Sequence, residues 1–111
     1  MTYDQQNSHT KTDSLRILHI LDHSIPLHSG YAFRSLALLT EQRRLGWETL
    51  QLTTPKQGSA TADQEEVDGW VFHRTRTNKE MVGIRGYFGQ MAATQQRIEE
   101  LVKRLHPDIL H

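Results

Sequence analysis

The sequence predicts an α/β domain: a Rossmann-like parallel sheet with flanking helices. Three observations carry that expectation. Leu15–Leu21 is a nearly continuous apolar run, the pattern of a parallel strand covered on both faces. After a polar turn comes a helical pattern that stops at Gly46, and then an alternating segment, Trp47–Thr54. Strand, helix and strand in that order make a right-handed crossover joining parallel strands.

Taken in order, residues 1–14 have almost nothing to bury and are expected to form a loose extension, leaving 15–111 as the domain. In the first strand only Arg16 and His19 interrupt the apolar run, and Asp22 and Pro26 close it too early for a buried helix. Ser29 suits a helix N-cap, because its hydroxyl can accept a first-turn N–H. Phe33, Leu36, Ala37, Leu39 or Thr40, and Leu45 then give the expected apolar stripe. Arg43 and Arg44 lie in the last turn, where the helix dipole favours cations, and Gly46 suits the left-handed position beyond it. Trp47–Thr54 reads as the second strand, and 56–66 as a mobile loop by composition.

Val67–Arg74 reads as a third strand, with Val71 and His73 on one side and Trp70 and Phe72 on the other. The turn-like pair Asp68-Gly69 shortens it towards Trp70–Arg74. Gly83, Gly86 and Gly89 weaken any helix through Thr75–Gly89. From Tyr87 or Gln90 onwards, Met91, Thr94, Ile98, Leu101, Val102 and Leu105 fall at helical spacing, with Glu99 and Lys103 as an i,i+4 pair. Pro107 ends that helix, and Asp108–His111 begins a fourth strand. The expected order is β-α-β-β-α-β, a doubly wound arrangement.

Composition sets limits on function. A chain of 111 residues buries roughly two-thirds of its unfolded surface. Its 13 basic and 13 acidic residues cancel, so no broad attraction to nucleic acid or an anionic membrane is expected. There is no cysteine, which excludes disulfides and thiolate metal sites. The first fourteen residues lack the apolar core of a secretory signal, and no stretch reaches the ~18 apolar residues of a membrane span. A soluble, cytoplasmic protein is expected.

The chemistry-bearing residues cluster between Asp22 and Arg34. In open α/β sheets, ligands sit beyond the carboxyl ends of the strands, where Asp22, His23, His28, Ser29 and Gly30 fall. Gly30 lets backbone approach a phosphate, and the helix behind it favours an anion. The histidines can donate to sugar hydroxyls or phosphate oxygens. Arg34 stands in the first turn, where the dipole disfavours a cation unless it helps hold an anionic ligand. The plainer alternative is a polar surface loop in which Asp22 caps a backbone group and Arg34 meets solvent. A dinucleotide site is disfavoured, since the full G-x-G-x-x-G fingerprint is absent and Thr53-Thr54-Pro55 supplies no acidic residue. His19 reads as part of the first strand, so the seven histidines include no i,i+4 pair on a helix with a nearby carboxylate, and no dedicated metal site is expected. His19 and His73 read as satisfied structural histidines. Neither a nucleophile elbow nor a Walker loop is present.

LRILHILDHSIPLHSGYAFRSLALLTEQRRLGWETLQLTTPKQG, EEVDGWVFHRT and HPDILH together resemble the N-terminal half of family 4 glycosyltransferases of the GT-B architecture. The DHSIPLHSGYAFR loop is most similar to the subgroup associated with exosortase and exopolysaccharide gene clusters. The resemblance covers about residues 15–111. It implies retaining transfer of a sugar from a nucleotide-activated donor to a glycan or lipid-linked acceptor, with no essential metal or cofactor. Peripheral association with the inner membrane follows from the subgroup alone. The resemblance matches Gly30 to the second glycine of the loop approaching the donor diphosphate, and Ser29 stands where many members carry the first. It matches His111 to the first histidine of a His-x-His pattern and makes it the candidate catalytic residue. In that family a second domain binds the donor nucleotide and carries a glutamate pair. The expectation is therefore an acceptor-side fragment, inactive alone, with an exposed apolar sheet edge or face beyond the fourth strand. A second reading is a non-catalytic carbohydrate- or protein-binding module, closed and cooperative as it stands. A response-regulator-like domain would need an acidic cluster that Asp22 alone does not supply.

Overall fold

The computed structural model describes residues 14–57, 62–76 and 83–111. The extension expected over 1–14 lies outside these residues except for Ser14. The elements are β1 (Arg16–Leu21), α1 (Gly30–Arg44), β2 (Glu48–Thr53), a 3-10 turn (Pro55–Gln57), β3 (Gln64–Val67), β4 (Trp70–Arg74), α2 (Gly83–Leu105) and β5 (Ile109–Leu110). They form an α/β fold with a five-stranded sheet in the order β3-β4-β2-β1-β5. β1 pairs parallel with β2 and β5, and β2 pairs parallel with β4; only β3 runs antiparallel, against β4.

The sheet is covered on both faces, as the apolar β1 demands. On one face Leu21, Ile25, Ala32 and Phe72 form a core beneath α1. On the other, Leu18, Leu52 and Leu101 are fully buried, with Ile98, Val102 and Leu105 of α2 packed around them. The chain steps from β1 to β2 to β4 in one direction, then returns through α2 to lay β5 on the far side of β1. That reversal places a switch point, and hence a crevice, between β1 and β5.

Three sequence expectations need correction. The segment 56–66 is not one loop: Gln64–Val67 is a strand, joined to β4 by a two-residue turn. Both turn residues are left-handed, Asp68 at φ 52° and Gly69 at φ 83°, which matches the twist of a tight hairpin. The strand is hidden in the sequence because it is an exposed edge, and edges carry charge to discourage further pairing. Helix α1 does bury a stripe, but with a different phase. Ala32 and Leu39 are buried and Leu36 is partly so, while Phe33 and Leu45 are 51% and 57% exposed. The sheet-facing row ends in polar groups: Gln42 reaches His19, and Arg43 reaches Thr49 and stacks 4.1 Å over Trp70. Helix α2 starts at Gly83, earlier than the glycines suggested, and Met91 is 53% exposed rather than core. Met91 borders the cleft with Thr54, Pro55 and Lys56, residues that follow the end of β2. The ion pairs of α2 among the described residues run from Glu100 to Arg97 and Arg104, not from Glu99 to Lys103.

The caps of α1 follow the sequence. Ser29 Oγ accepts from the Ala32 N–H, 3.0 Å away. At the other end Gly46 has φ 91°, its N–H bonds Arg43 O and the Trp47 N–H bonds Gln42 O. That is the doubled C-terminal closure in which glycine avoids a Cβ penalty. Strand β5 is an edge, with Ile109 and Leu110 45% and 50% exposed. Among the described residues no helix is long and apolar enough to cross a membrane.

Candidate functional site

The loop between β1 and α1 is fixed from below by the sheet. The Thr54 hydroxyl donates to Asp22 O (2.9 Å), and the Ser24 N–H donates to Gln57 Oε1 (2.8 Å). Buried Arg74 of β4 donates to Ser24 Oγ (2.8 Å) and Ile25 O (3.2 Å). The following Ile25–Pro26 bond is cis. These ties bring Asp22 and His23 back over the start of α1.

There the side chains make a continuous hydrogen-bonded chain. His23 Nδ1 lies 3.0 Å from Asp22 Oδ2, and His23 Nε2 lies 2.7 Å from Ser29 Oγ. A carboxylate only accepts, so Nδ1 carries the proton and Nε2 accepts from the Ser29 hydroxyl. Tyr31 holds the ring from the side, its centroid 4.9 Å away, and its hydroxyl accepts from the Asp22 N–H. Lys56 Nζ stands 3.4 Å from Asp22 Oδ1. The His23 hydrogen bond holds the Asp22 carboxyl below its ordinary value; burial opposes it, and Lys56 adds to the lowering.

Behind this chain is the start of α1. Its first turn holds no acidic residue. Ser29 serves Ala32 and Phe33, so among the described residues the N–H groups of Gly30 and Tyr31 are free to meet a ligand. Arg34 is exposed but does not simply leave for solvent: a Cβ built on Gly30 would lie 3.2 Å from Arg34 Nη1. The guanidinium thus lies back beside Gly30, in the first turn of the helix.

A second group surrounds the switch point. His19 is buried, donates Nε2–H to Gln42 Oε1 (2.6 Å) and faces His111 with their Nδ1 atoms 3.1 Å apart. Burial, opposed by the Gln42 bond and assisted by His111, lowers the His19 pKa, which favours the neutral ring. His19 and His111, with Tyr31, Ser35 and Leu38, line a cavity of about 250 Å³. Tyr31 therefore touches both groups. A larger cleft of about 440 Å³ opens on the α2 side between Asp22, Lys56, Pro55 and the residues Met91, Gln95 and Ile98. The cleft of about 480 Å³ around Arg43, Trp47 and Val71 lies at the opposite, amino end of the strands, away from these groups.

The chain matches no family model, no curated protein and no solved structure.

Of the residues singled out in the sequence, Asp22, His23, Ser29, Gly30 and Arg34 come together at one end of α1. His111 joins the adjacent pocket through His19. His28 turns outward against Phe33, with ring centroids 5.6 Å apart. The Asp22 carboxylate does not cap backbone; it pairs with His23 and Lys56. His73 is not fully satisfied, because its buried Nδ1 has no partner among the described residues. Tyr31, Lys56 and Gln42 were missed by sequence reasoning. Only Tyr31 carried a signal, as an aromatic in the first turn beside the polar loop.

Proposed function

We propose that this chain forms the acceptor-side wall of a retaining glycosyltransferase of polysaccharide biosynthesis, acting in the cytoplasm or at the cytoplasmic face of the membrane. It moves a sugar from a nucleotide-activated donor to a glycan or lipid-linked acceptor, with no metal requirement. One observation carries this reading: the order reversal of the sheet brings the His23–Ser29–Gly30 loop and His111 to the same end of β1, either side of Tyr31. The free N–H groups at the start of α1 and the Arg34 guanidinium suit a diphosphate. His111, held by His19 through its Nδ1, suits a sugar hydroxyl with its Nε2. Sugar transfer also needs groups facing this wall from the donor side, so the readout for these 111 residues is binding.

The test is titration of the ¹⁵N-labelled chain with UDP, GDP and ADP, followed by amide and imidazole NMR. The expected result is saturable shifts confined to residues 22–34 and His111, with millimolar affinity for at least one nucleotide (about −4 kcal/mol). Gly30→Ala, which drives a Cβ towards Arg34, should weaken the response several-fold. Absence of saturable shifts for all three at about 10 mM, or shifts centred elsewhere, would sink the proposal.

A further inference from the structure

Beyond sugar transfer, we infer that Ser29 is an activated nucleophile, with His23 as its base and Asp22 as the positioning residue. The activity is cleavage of activated carboxylic esters. Two distances are decisive: Asp22 Oδ2 to His23 Nδ1 at 3.0 Å and His23 Nε2 to Ser29 Oγ at 2.7 Å. Both fall in the hydrogen-bonding range that links nucleophile to base and base to orienting group. Such constellations are recognised by geometry and role rather than by chain order or a nucleophile elbow.

The surroundings fit the same chemistry. Tyr31 lies against His23 with the rings tilted by 38°, and so limits the ring's swing on that side. Ser29 Oγ donates to His23 and accepts one N–H from Ala32, which leaves one lone pair for attack. The unpaired N–H groups of Gly30 and Tyr31 lie at the start of the helix that Ser29 caps, where they suit a developing oxyanion. Leu27 and Phe33, on either side of Ser29 in the chain, are 40% and 51% exposed and offer apolar surface to a small acyl group.

The step balances as follows. The Ser29 hydroxyl proton passes to His23 Nε2 while Oγ bonds to the ester carbonyl carbon, whose π electrons move onto oxygen. The carbonyl re-forms, the bond to the leaving oxygen breaks, and that oxygen takes the proton from His23. Water then repeats the sequence, releasing the carboxylic acid and restoring the Ser29 hydroxyl.

The experiment is incubation of the 111-residue chain with an alkyl fluorophosphonate, whose fluoride leaves as Oγ bonds phosphorus, followed by intact mass and peptide mapping. Hydrolysis of p-nitrophenyl acetate is followed in parallel. One adduct is expected, on Ser29. Ser29→Ala abolishes it, and so does Ser29→Asn, which keeps a side chain that caps helices as well as serine does and so separates lost nucleophile from lost fold. His23→Ala slows labelling by about 100-fold, the scale of general-base assistance. For Asp22→Asn, imidazole ¹⁵N shifts should report loss of the Nδ1–H tautomer together with slower labelling, which a merely structural carboxylate would not produce. An unlabelled chain overturns the inference, as does an adduct on another residue or a His23→Ala variant labelled at the wild-type rate. Nucleotide binding is read on the unsubstituted chain and labelling on its reaction with the fluorophosphonate, so the two proposals fail separately.

Discussion

Replacing Glu65 with leucine should unfold this protein more readily than its place on an exposed edge strand suggests. Glu65 is the carboxylate of Arg74, whose side chain is 1% exposed and whose Nη2 lies 2.8 Å from Glu65 Oε1. Leucine leaves the guanidinium buried with neutral acceptors only: Ser24 Oγ, Thr53 Oγ1 and Ile25 O. Breaking a buried pair from one side costs about 3–5 kcal/mol. Glu65 is itself 46% exposed, so water reaches the pair and the cost falls to about 2–3 kcal/mol, or roughly 10 °C in Tm for a domain of this size. Arg74→Met gives up the three ties to buried acceptors, about 1 kcal/mol each, and regains part of that by burying an apolar chain. Its net cost is about 2 kcal/mol. The double variant has no stranded charge, so its loss should fall short of the sum by at least about 1 kcal/mol. Urea unfolding followed by circular dichroism, at constant m, measures all four corners of the cycle. A Glu65→Leu loss below about 0.5 kcal/mol, with additive behaviour in the double variant, would refute the reasoning.

Two further outcomes follow from burial. Leu101→Ala should cost about 2–5 kcal/mol in urea unfolding, because Leu101 is fully buried between Leu18 and Leu52. Met91→Ala on the same helix should stay within about 0.5 kcal/mol, and similar losses at the two sites would contradict the packing described. Burial lowers the pKa of His19, aided by His111, and that of His73, aided by Arg97 and Arg104. The unfolded chain therefore takes up protons near pH 6.5 that the fold resists. Stability is complete above that value and falls as pH drops from about 6.5 towards the lowered folded values. Tm should decline between pH 7 and 5, and His73→Gln should flatten the decline; a flat wild-type profile would remove this assignment.

The sequence revealed the fold where burial writes a pattern. β1 is apolar because it is covered twice, and the caps of α1 stand out because Ser29 and Gly46 answer specific backbone needs. It concealed β3 because an exposed edge strand is polar for the same reason a loop is. The α1 stripe was misphased because its sheet-facing row ends in Gln42 and Arg43, polar groups that bond the sheet instead of leaving it. The candidate site was legible as a cluster but not as a circuit. Asp22 and His23 are neighbours in the chain, yet their link to Ser29 depends on the loop folding back between them. That return is enforced by Arg74, fifty residues away from Ser24 in the sequence.

The way the loop is held bears on what it is for. A polar loop over a small sheet needs no buried cation beneath it, and an apolar residue at position 74 would suit the core beside Phe72 and Thr53. Instead Arg74, Gln57 and Thr54 stand under the loop and between them bond Asp22, Ser24 and Ile25. Burying such groups is unfavourable unless every bond is made, and once made the network admits one arrangement of the backbone above it. The same network leaves the Asp22, His23 and Ser29 side chains to bond one another at the mouth of the crevice, half-exposed. Rigid support beneath and reactive groups above is what a preorganised site requires, because a displacement of about 1 Å is enough to disable one. Such support has little use in a loop that merely connects a strand to a helix. The polar residues beneath the loop, more than the histidines within it, therefore argue that this end of the sheet is a working site.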